Sequence, residues 1–192
     1  MLEVGSRIKN PRTQTEFEVL ELAPEGFLLR YSMPENRGLQ DFAEHFHIGW
    51  NEEFTIRSGD VIYRLDGTEH TASAGDVVSL PERLKHLHPR NAGSSPAVLE
   101  HRATLDVPSI EAVKETLGFF FTMFDWDAEG KISLDRIGLP RHPMKFFAAG
   151  RMLGAHGGYD ARLPKAMADF GNATMGRLAE AMGYSVIDPK WR

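Results

Sequence analysis

The chain has 192 residues, 42% hydrophobic and 26% charged, which gives room for one sizeable domain with an appendage and excludes wholesale disorder. Its formal charge of −5 removes the electrostatic footprint of a nucleic-acid binder, and the lack of Cys excludes disulfides, thiolate metal sites and cysteine nucleophiles. Residues 1–13 lack the apolar core of a signal peptide, and the longest nearly apolar run, 117–124, is too short to cross a bilayer; a cytoplasmic protein without membrane contact is expected.

The first hundred residues predict β-structure. Short runs rich in Val, Ile, Phe, Tyr and Leu at 17–22, 26–33, 45–50, 53–57, 61–65, 68–72, 76–80 and 98–104 are separated by Gly, Pro, Asn and Asp. Ser58-Gly59-Asp60 and Asp66-Gly67 each sit between two runs, as hairpin turns would. Many short strands without helical periodicity imply a sandwich or small barrel, which also removes exposed sheet edges.

The pattern changes after Pro108. Ile110, Val113, Leu117, Phe120 and Phe124 recur at spacings of three and four behind a potential N-cap, Ser109, and predict an amphipathic helix. A second helix is expected over 143–153. A third is expected over about 163–182, with Leu163, Met167, Phe170, Met175, Leu178 and Met182 on one face, although Gly171 and Gly176 each cost about 1 kcal/mol in a helix interior. The expected organisation is a β-domain at 1–106 and a helical extension at 107–192 that packs on the barrel or on a neighbouring subunit. Its Met and Phe content reads as packing, either over a barrel mouth or in a two-fold dimer contact.

Five of the eight histidines fall between residues 45 and 88, and four side chains there have suggestive spacing. His45 and His47, two apart on a strand, leave the same face. Glu52 follows at the start of the next run, which Gly59 is expected to turn back as a hairpin, and His86 arrives from a later strand. Three imidazoles and a carboxylate suit a borderline divalent cation, and an ion is the simplest reason to face four polar side chains into an apolar barrel. The period-two rule sends Glu53 outward, away from Glu52.

The two segments that carry these residues resemble the paired motifs of the cupin superfamily. The first reads H-F-H-I-G-W-N-E-E-F-T-I-R-S-G and places His45, His47, Glu52 and Gly59 in register; the second reads G-D-V-V-S-L-P-E-R-L-K-H-L-H-P-R-N and matches at Gly75, Pro81 and His86. Arg83 stands where the family prefers glycine, Asn91 lies one residue late, and Gly38 precedes His45 by seven residues rather than six. The resemblance implies a mainly β fold, a double-stranded β-helix or jelly-roll barrel followed by the α-helical tail. It further implies that His45, His47, Glu52 and His86 bind one divalent transition metal (Fe, Mn, Ni, Zn or Cu) with a position left open for substrate.

Trp50, Phe54, Tyr63 and His101 are candidates for a pocket above the metal, each balanced against plain barrel core. His88 is a candidate contact as well, but Pro89 beside it suggests that the strand is ending, which favours an ordinary surface histidine. The expected function is dioxygenase-like oxidation of a small organic molecule; a metal-dependent isomerase or lyase and a non-catalytic small-molecule-binding cupin are the alternatives. A homodimer is the expected oligomer. Residues 121–137 imitate a calcium loop, with Asp125, Asp127 and Glu129 at ligand positions, but Arg136 occupies the place of the bidentate glutamate, so an acidic helix end is expected instead.

Overall fold

A computed structural model describes residues 1–35, 39–135 and 138–192; Gly38 and Arg136 lie outside the described residues. Its strands are β1 (Arg7–Lys9), β2 (Glu16–Ala23), β3 (Gly26–Met33), β4 (His45–His47), β5 (Trp50–Ser58), β6 (Asp60–Leu65), β7 (Thr68–Ser73), β8 (Val77–Leu80), β9 (His86–Asn91), β10 (Ala97–Leu105) and β11 (Gly158–Asp160). They form two antiparallel sheets, one in the order β1-β2-β3-β10-β5-β8 and one in the order β11-β4-β9-β6-β7. The fold is mainly β, two jelly-roll sheets followed by a helical segment.

Alternation builds the barrel. Along β5 the side chains of Trp50, Glu52, Phe54 and Ile56 are buried while Asn51, Glu53 and Arg57 are exposed, and along β10 Ala97, Leu99, His101 and Ala103 are buried. Glu53 therefore points outward, as the period of two requires. Phe17, Val19, Leu29, Tyr31, Val61 and Leu80 join these residues in one core between the sheets.

The two glycine turns behave differently. Asp66 (φ 47°) and Gly67 (φ 81°) close a tight hairpin between β6 and β7, with Leu65 opposite Thr68. Ser58-Gly59-Asp60 is not a hairpin: β5 pairs with β10 and β8, whereas β6 pairs with β7 and β9, so the chain changes sheet at this corner. Gly59 sits at φ 80°, and a Cβ there would lie 2.7 Å from the Ala97 methyl, which is why the corner needs glycine.

The helices are α1 (Ile110–Ala128), α2 (Pro143–Ala155), α3 (Lys165–Gly171) and α4 (Arg177–Ala181). Ser109 caps α1 as expected, its hydroxyl accepting from the Ala112 N–H at 3.2 Å. Val113, Leu117, Phe121 and Phe124 pack into the barrel core, whereas Ile110 is exposed. Phe119 and Met123, on the other side of α1, join Ala148, Ala149, Ala179, Val186 and Ile187 in a second core. The expected continuous third helix is interrupted: a π-helical segment, Asn172–Gly176, separates α3 from α4. Its apolar face looks outward, with Met167, Phe170, Leu178 and Met182 all exposed. No helix among the described residues is long and apolar enough to cross a membrane.

The calcium-loop imitation is the end of α1. Asp125 accepts from Lys190 Nζ at 2.8 Å and from Trp191 Nε1 at 3.2 Å, and Glu129 pairs with Lys131 at 2.6 Å, so both acids are already matched by cations or donors.

Candidate metal centre

Neighbouring strands, not neighbouring residues, assemble the site. β4 lies beside β9 with His45 directly opposite His86, and β5 lies beside β10 with Glu52 opposite Ala103 and Phe54 opposite His101. Ring centroids of His45, His47 and His86 lie 4.5–4.9 Å apart. One donor atom from each of His45, His47, Glu52 and His86 falls within 4.8 Å of all the others. Donors about 2.1 Å from a common ion lie about 3 Å apart when adjacent and about 4 Å when opposed, so a first-row divalent ion would need to draw these four only slightly together.

The hydrogen bonds point the same way. His45 Nδ1 lies 2.7 Å from the Ala43 carbonyl and His86 Nδ1 lies 2.9 Å from the Leu84 carbonyl, and a carbonyl can only accept, so both Nδ1 atoms carry the proton. Each Nε2 is thereby left with its lone pair free, the arrangement that metal-binding imidazoles use. His86 Nε2 and His47 Nδ1 are buried without a hydrogen-bond partner, at 3.2 and 3.7 Å from Glu52 Oε2. Orphaned nitrogens around a buried carboxylate are costly in an apolar interior unless an ion completes them, and the donor set fits one.

Two further histidines hold the carboxylate. His88 Nε2 is 3.0 Å from Glu52 Oε2, and His101 Nε2 is 3.0 Å from Glu52 Oε1. His101 in turn meets the Tyr31 hydroxyl through Nδ1 at 2.8 Å and stacks on Phe54 at 4.2 Å. Glu52, His88 and His101 also bring donor atoms within 4.8 Å of one another. His88 is only 6% exposed, which corrects its reading as a surface residue: β9 continues through Pro89 to Asn91. Proline is tolerated there because the register of β6 against β9 shifts between Ile62 and Arg64, an irregularity opposite Pro89 where its missing N–H breaks no regular ladder.

Burial sets the protonation states. It drives His45 well below the usual imidazole range, with His47 and His86 adding to the effect, and lowers His47 and His88 to about 4. Burial alone would raise Glu52, but the imidazoles of His88, His47 and His101 outweigh it and hold the carboxyl well below its ordinary value. At neutral pH His45, His47 and His88 are therefore neutral rings and Glu52 a carboxylate, the forms a metal requires.

These shifts have a consequence for the metal-free protein. In the unfolded chain the histidines titrate near 6.5, so as pH falls from 6.5 towards 4 the unfolded state takes up protons that folded His47 and His88 refuse. Stability is expected to fall across that window by roughly 3 kcal/mol for each of the two rings, and Glu52 adds a further loss below its unfolded value near 4.5. Urea midpoints measured at pH 7, 6 and 5 after chelation check this; a flat profile contradicts it.

The loop before β9 locks the ligand strand. Arg83, where the family has glycine, adopts φ 67°, a left-handed conformation that a side chain makes costly. Its N–H donates to the His47 carbonyl at 2.7 Å, and the Glu82 carboxylate accepts from the Gly49 N–H at 2.9 Å. Asn91 shapes the turn after β9. Its side-chain amide donates to the Pro34 and Ser95 carbonyls at 2.6 and 2.8 Å and accepts from the Gly93 N–H.

The cluster opens on a pocket of about 120 Å³. Trp50, His88 and His101 line it, as do His45, His47 and Glu52. Phe54 and Tyr63 do not: Phe54 is core under His101, and Tyr63 stacks on His70 on β7. The extension supplies further walls, in line with packing over a barrel mouth, among them Leu117, Phe120, Phe124, Leu153 and Tyr159. It also supplies β11, which pairs with β4 so that Gly158 faces His47 and Asp160 faces His45. The signal was present in Gly157-Gly158 ahead of Tyr159, a turn into an aromatic strand residue, but the run is too short to stand out. Asp41, another lining residue, is a buried carboxylate bonded by Asn10, Thr13 and Thr15.

Residues 36–108 match the family model described as "Cupin domain". No curated protein matches the chain. Among solved structures, the cupin domain of Cnp3 from Schizosaccharomyces pombe aligns with 18% identity over 48% of this chain and 66% of its own, just under two thirds of that protein's length, at a TM-score of 0.39. The TT1209 protein of Thermus thermophilus aligns with 21% identity over 50% of this chain and 87% of its own, at a TM-score of 0.44. A Thermotoga maritima protein described as a predicted oxalate decarboxylase aligns with 21% identity over 52% and 90%, at a TM-score of 0.41. The matched segment holds both histidine motifs, so over residues 36–108 the chain is similar to a cupin domain.

Proposed function

We propose that the protein is a metal-dependent enzyme that oxidises a small organic molecule with dioxygen, and that His45, His47, Glu52 and His86 hold one divalent transition metal ion, Fe, Mn, Ni, Zn or Cu. The observation that carries this reading is the convergence of three imidazoles on one ionised carboxylate beside an apolar pocket, with two tautomers fixed by backbone carbonyls. A bound ion would supply Lewis acidity and, if redox-active, a relay for electrons from the organic substrate to dioxygen. The chain's own contribution is positioning. His88 is hydrogen-bonded to one oxygen of Glu52, His101 lies 3.0 Å from the other, and the Tyr31 hydroxyl meets His101 Nδ1. The aromatic walls exclude water and admit an uncharged gas.

Oxidation is favoured over isomerisation by the state of the other polar groups in the pocket. An isomerase needs a free proton carrier, yet the two further carboxylates of the pocket are engaged, Asp41 accepting three hydrogen bonds and Asp160 lying 2.6 Å from Arg162. Each is already committed to a structural partner. The test is metal content of protein purified without an affinity tag, followed by oxygen uptake in the presence of phenols and diketones. Stoichiometric metal with substrate-dependent oxygen consumption supports the proposal, and metal-loaded protein inert to oxygen overturns the oxidative part.

In this reading residues 1–106 are the cupin barrel and 107–192 an extension that walls its pocket, in a cytoplasmic homodimer with no nucleic-acid or membrane partner. The exposed Met167, Phe170, Leu178 and Met182 support the dimer, since exposed apolar side chains gathered on one short segment favour a covered surface. Phe170→Glu is expected to convert the dimer to monomer in light scattering while leaving metal content unchanged; a wild-type monomer at micromolar concentration refutes it.

A further inference from the structure

We infer that the pocket takes a single-ring, uncharged aromatic molecule with an oxygen substituent, and not a phosphorylated sugar or a small dicarboxylate. The inference rests on the metal-centre reading only for the destination of that oxygen; the ring and charge preferences follow from the walls. Three observations set them.

The first is charge. Among the described residues no Lys or Arg lines the pocket, whereas Asp41 and Asp160 do, besides Glu52. A phosphate or a carboxylate away from the cluster would be desolvated against these acids with no guanidinium or ammonium to meet it. The second is surface chemistry. Phe27 and Trp50 from the barrel face Leu117, Phe120, Phe124 and Leu153 from the extension, a cage of rings and branched aliphatics in which the Thr116 hydroxyl is a buried, unpartnered polar group. The Trp50 indole N–H is spent on the His156 carbonyl at 2.6 Å, so it offers the ligand only its apolar ring. The third is size. The cavity measures about 120 Å³, close to the cavity of about 150 Å³, lined by Leu, Ile and Phe, that accepts benzene. That space matches one six-membered ring more closely than two fused rings or a long alkyl chain.

Both domains thus set specificity. Phe120 packs against Phe42 at 4.8 Å from α1, and Leu153 closes the pocket from α2, so trimming either should enlarge the space without touching the histidines. Both side chains are half-buried, which limits the cost of trimming.

The test is calorimetric titration of the full-length, chelator-treated protein with phenol, phenyl phosphate and 2-naphthol, for wild type, Phe120→Ala and Leu153→Ala. Phenol is expected to bind at one site with Kd on the order of 0.1–1 mM, about what seven heavy atoms can supply. Phenyl phosphate is expected to bind at least about tenfold more weakly, because the same ring carries a dianion. The ratio of 2-naphthol to phenol affinity should rise at least about tenfold in whichever variant keeps its circular dichroism spectrum. Lack of saturable phenol binding, equal affinity for phenyl phosphate, or an unchanged ratio in a folded variant each overturns the inference. Since the ring is titrated without metal, failure here leaves the metal titration standing, and failure of the metal site leaves the ring result standing.

Discussion

Replacing His45 and His47 together by Ala is expected to abolish metal binding: wild type should retain about one equivalent of divalent metal after gel filtration, and the double variant essentially none. Both side chains contribute donor atoms to the four-residue cluster, and both leave the same face of β4. Loss of a single outer hydrogen-bond partner typically costs about 10- to 100-fold in metal affinity, so removing two ligands should cost at least about a thousandfold. The folded structure should survive, because β4 is only three residues long and its pairing with β9 and β11 is made by the backbone. A thermal shift separates the effects. Metal at a hundred times its Kd stabilises by about 2.7 kcal/mol in wild type, and no metal-dependent shift is expected in the variant. His88→Gln should show an intermediate loss of about 10- to 100-fold, since it removes an orienting contact to Glu52 and no member of the four-residue cluster. Metal retained by the double variant, or wild type without stoichiometric metal, defeats the assignment.

Gly157→Ala is expected to be among the most damaging single methyl additions in the chain. The residue has φ 81°, and a Cβ there would lie 2.1 Å from the Ile48 carbonyl oxygen, a backbone atom that cannot rotate away. The Gly157 carbonyl also accepts from the Ile48 N–H at 2.9 Å, so the contact is what seats β11 on β4. The left-handed conformation alone costs about 1–2 kcal/mol for a residue with a Cβ, and relieving the clash forfeits the pairing of β11 as well. We expect a total loss of roughly 3 kcal/mol in urea unfolding, together with weakened metal affinity because β4 carries His45 and His47. Gly67→Ala is the control. It shares the conformation, with φ 81°, but nothing lies within 4 Å of the added methyl, so it should show the conformational cost alone and unchanged metal binding. Equal losses in the two variants would mean that the Ile48 contact does not matter.

Several features of the site are legible in the sequence because they obey short-range rules. Two histidines two residues apart must share a face of a strand, and the alternation of β5 separates Glu52 from Glu53 whatever the rest of the chain does. The fit of Ser109 to the start of α1 is equally local. His88 escapes such rules because Pro89 argues locally for a strand end, while the long-range pairing of β9 with β6 carries the strand past it. Ser58-Gly59-Asp60 misleads for a related reason: a glycine turn between two apolar runs looks the same whether it returns the chain in one sheet or passes it to the other. Only the partners of β5 and β6 distinguish the two.

The third helix marks where periodicity stops being informative. Leu163, Met167, Phe170, Met175, Leu178 and Met182 share a side, yet periodicity states only that a face exists and not which way it looks. In the folded chain Ala179 and Gly176 turn inward, Gly176 meeting the Arg151 side chain, and the larger residues are left outside.

By itself, then, the order of residues determined the two motifs, the strand-rich first half, the helical second half and the side from which each ligand leaves its strand, because these depend on spacing along one chain. Only the tertiary structure decided that His86 stands opposite His45, that His88 and His101 grasp Glu52, and that a three-residue strand and two helices from the extension finish the pocket. Those contacts join residues far apart in the chain, and which strands become neighbours is fixed by how all the apolar faces are buried at once, a property that no local window contains.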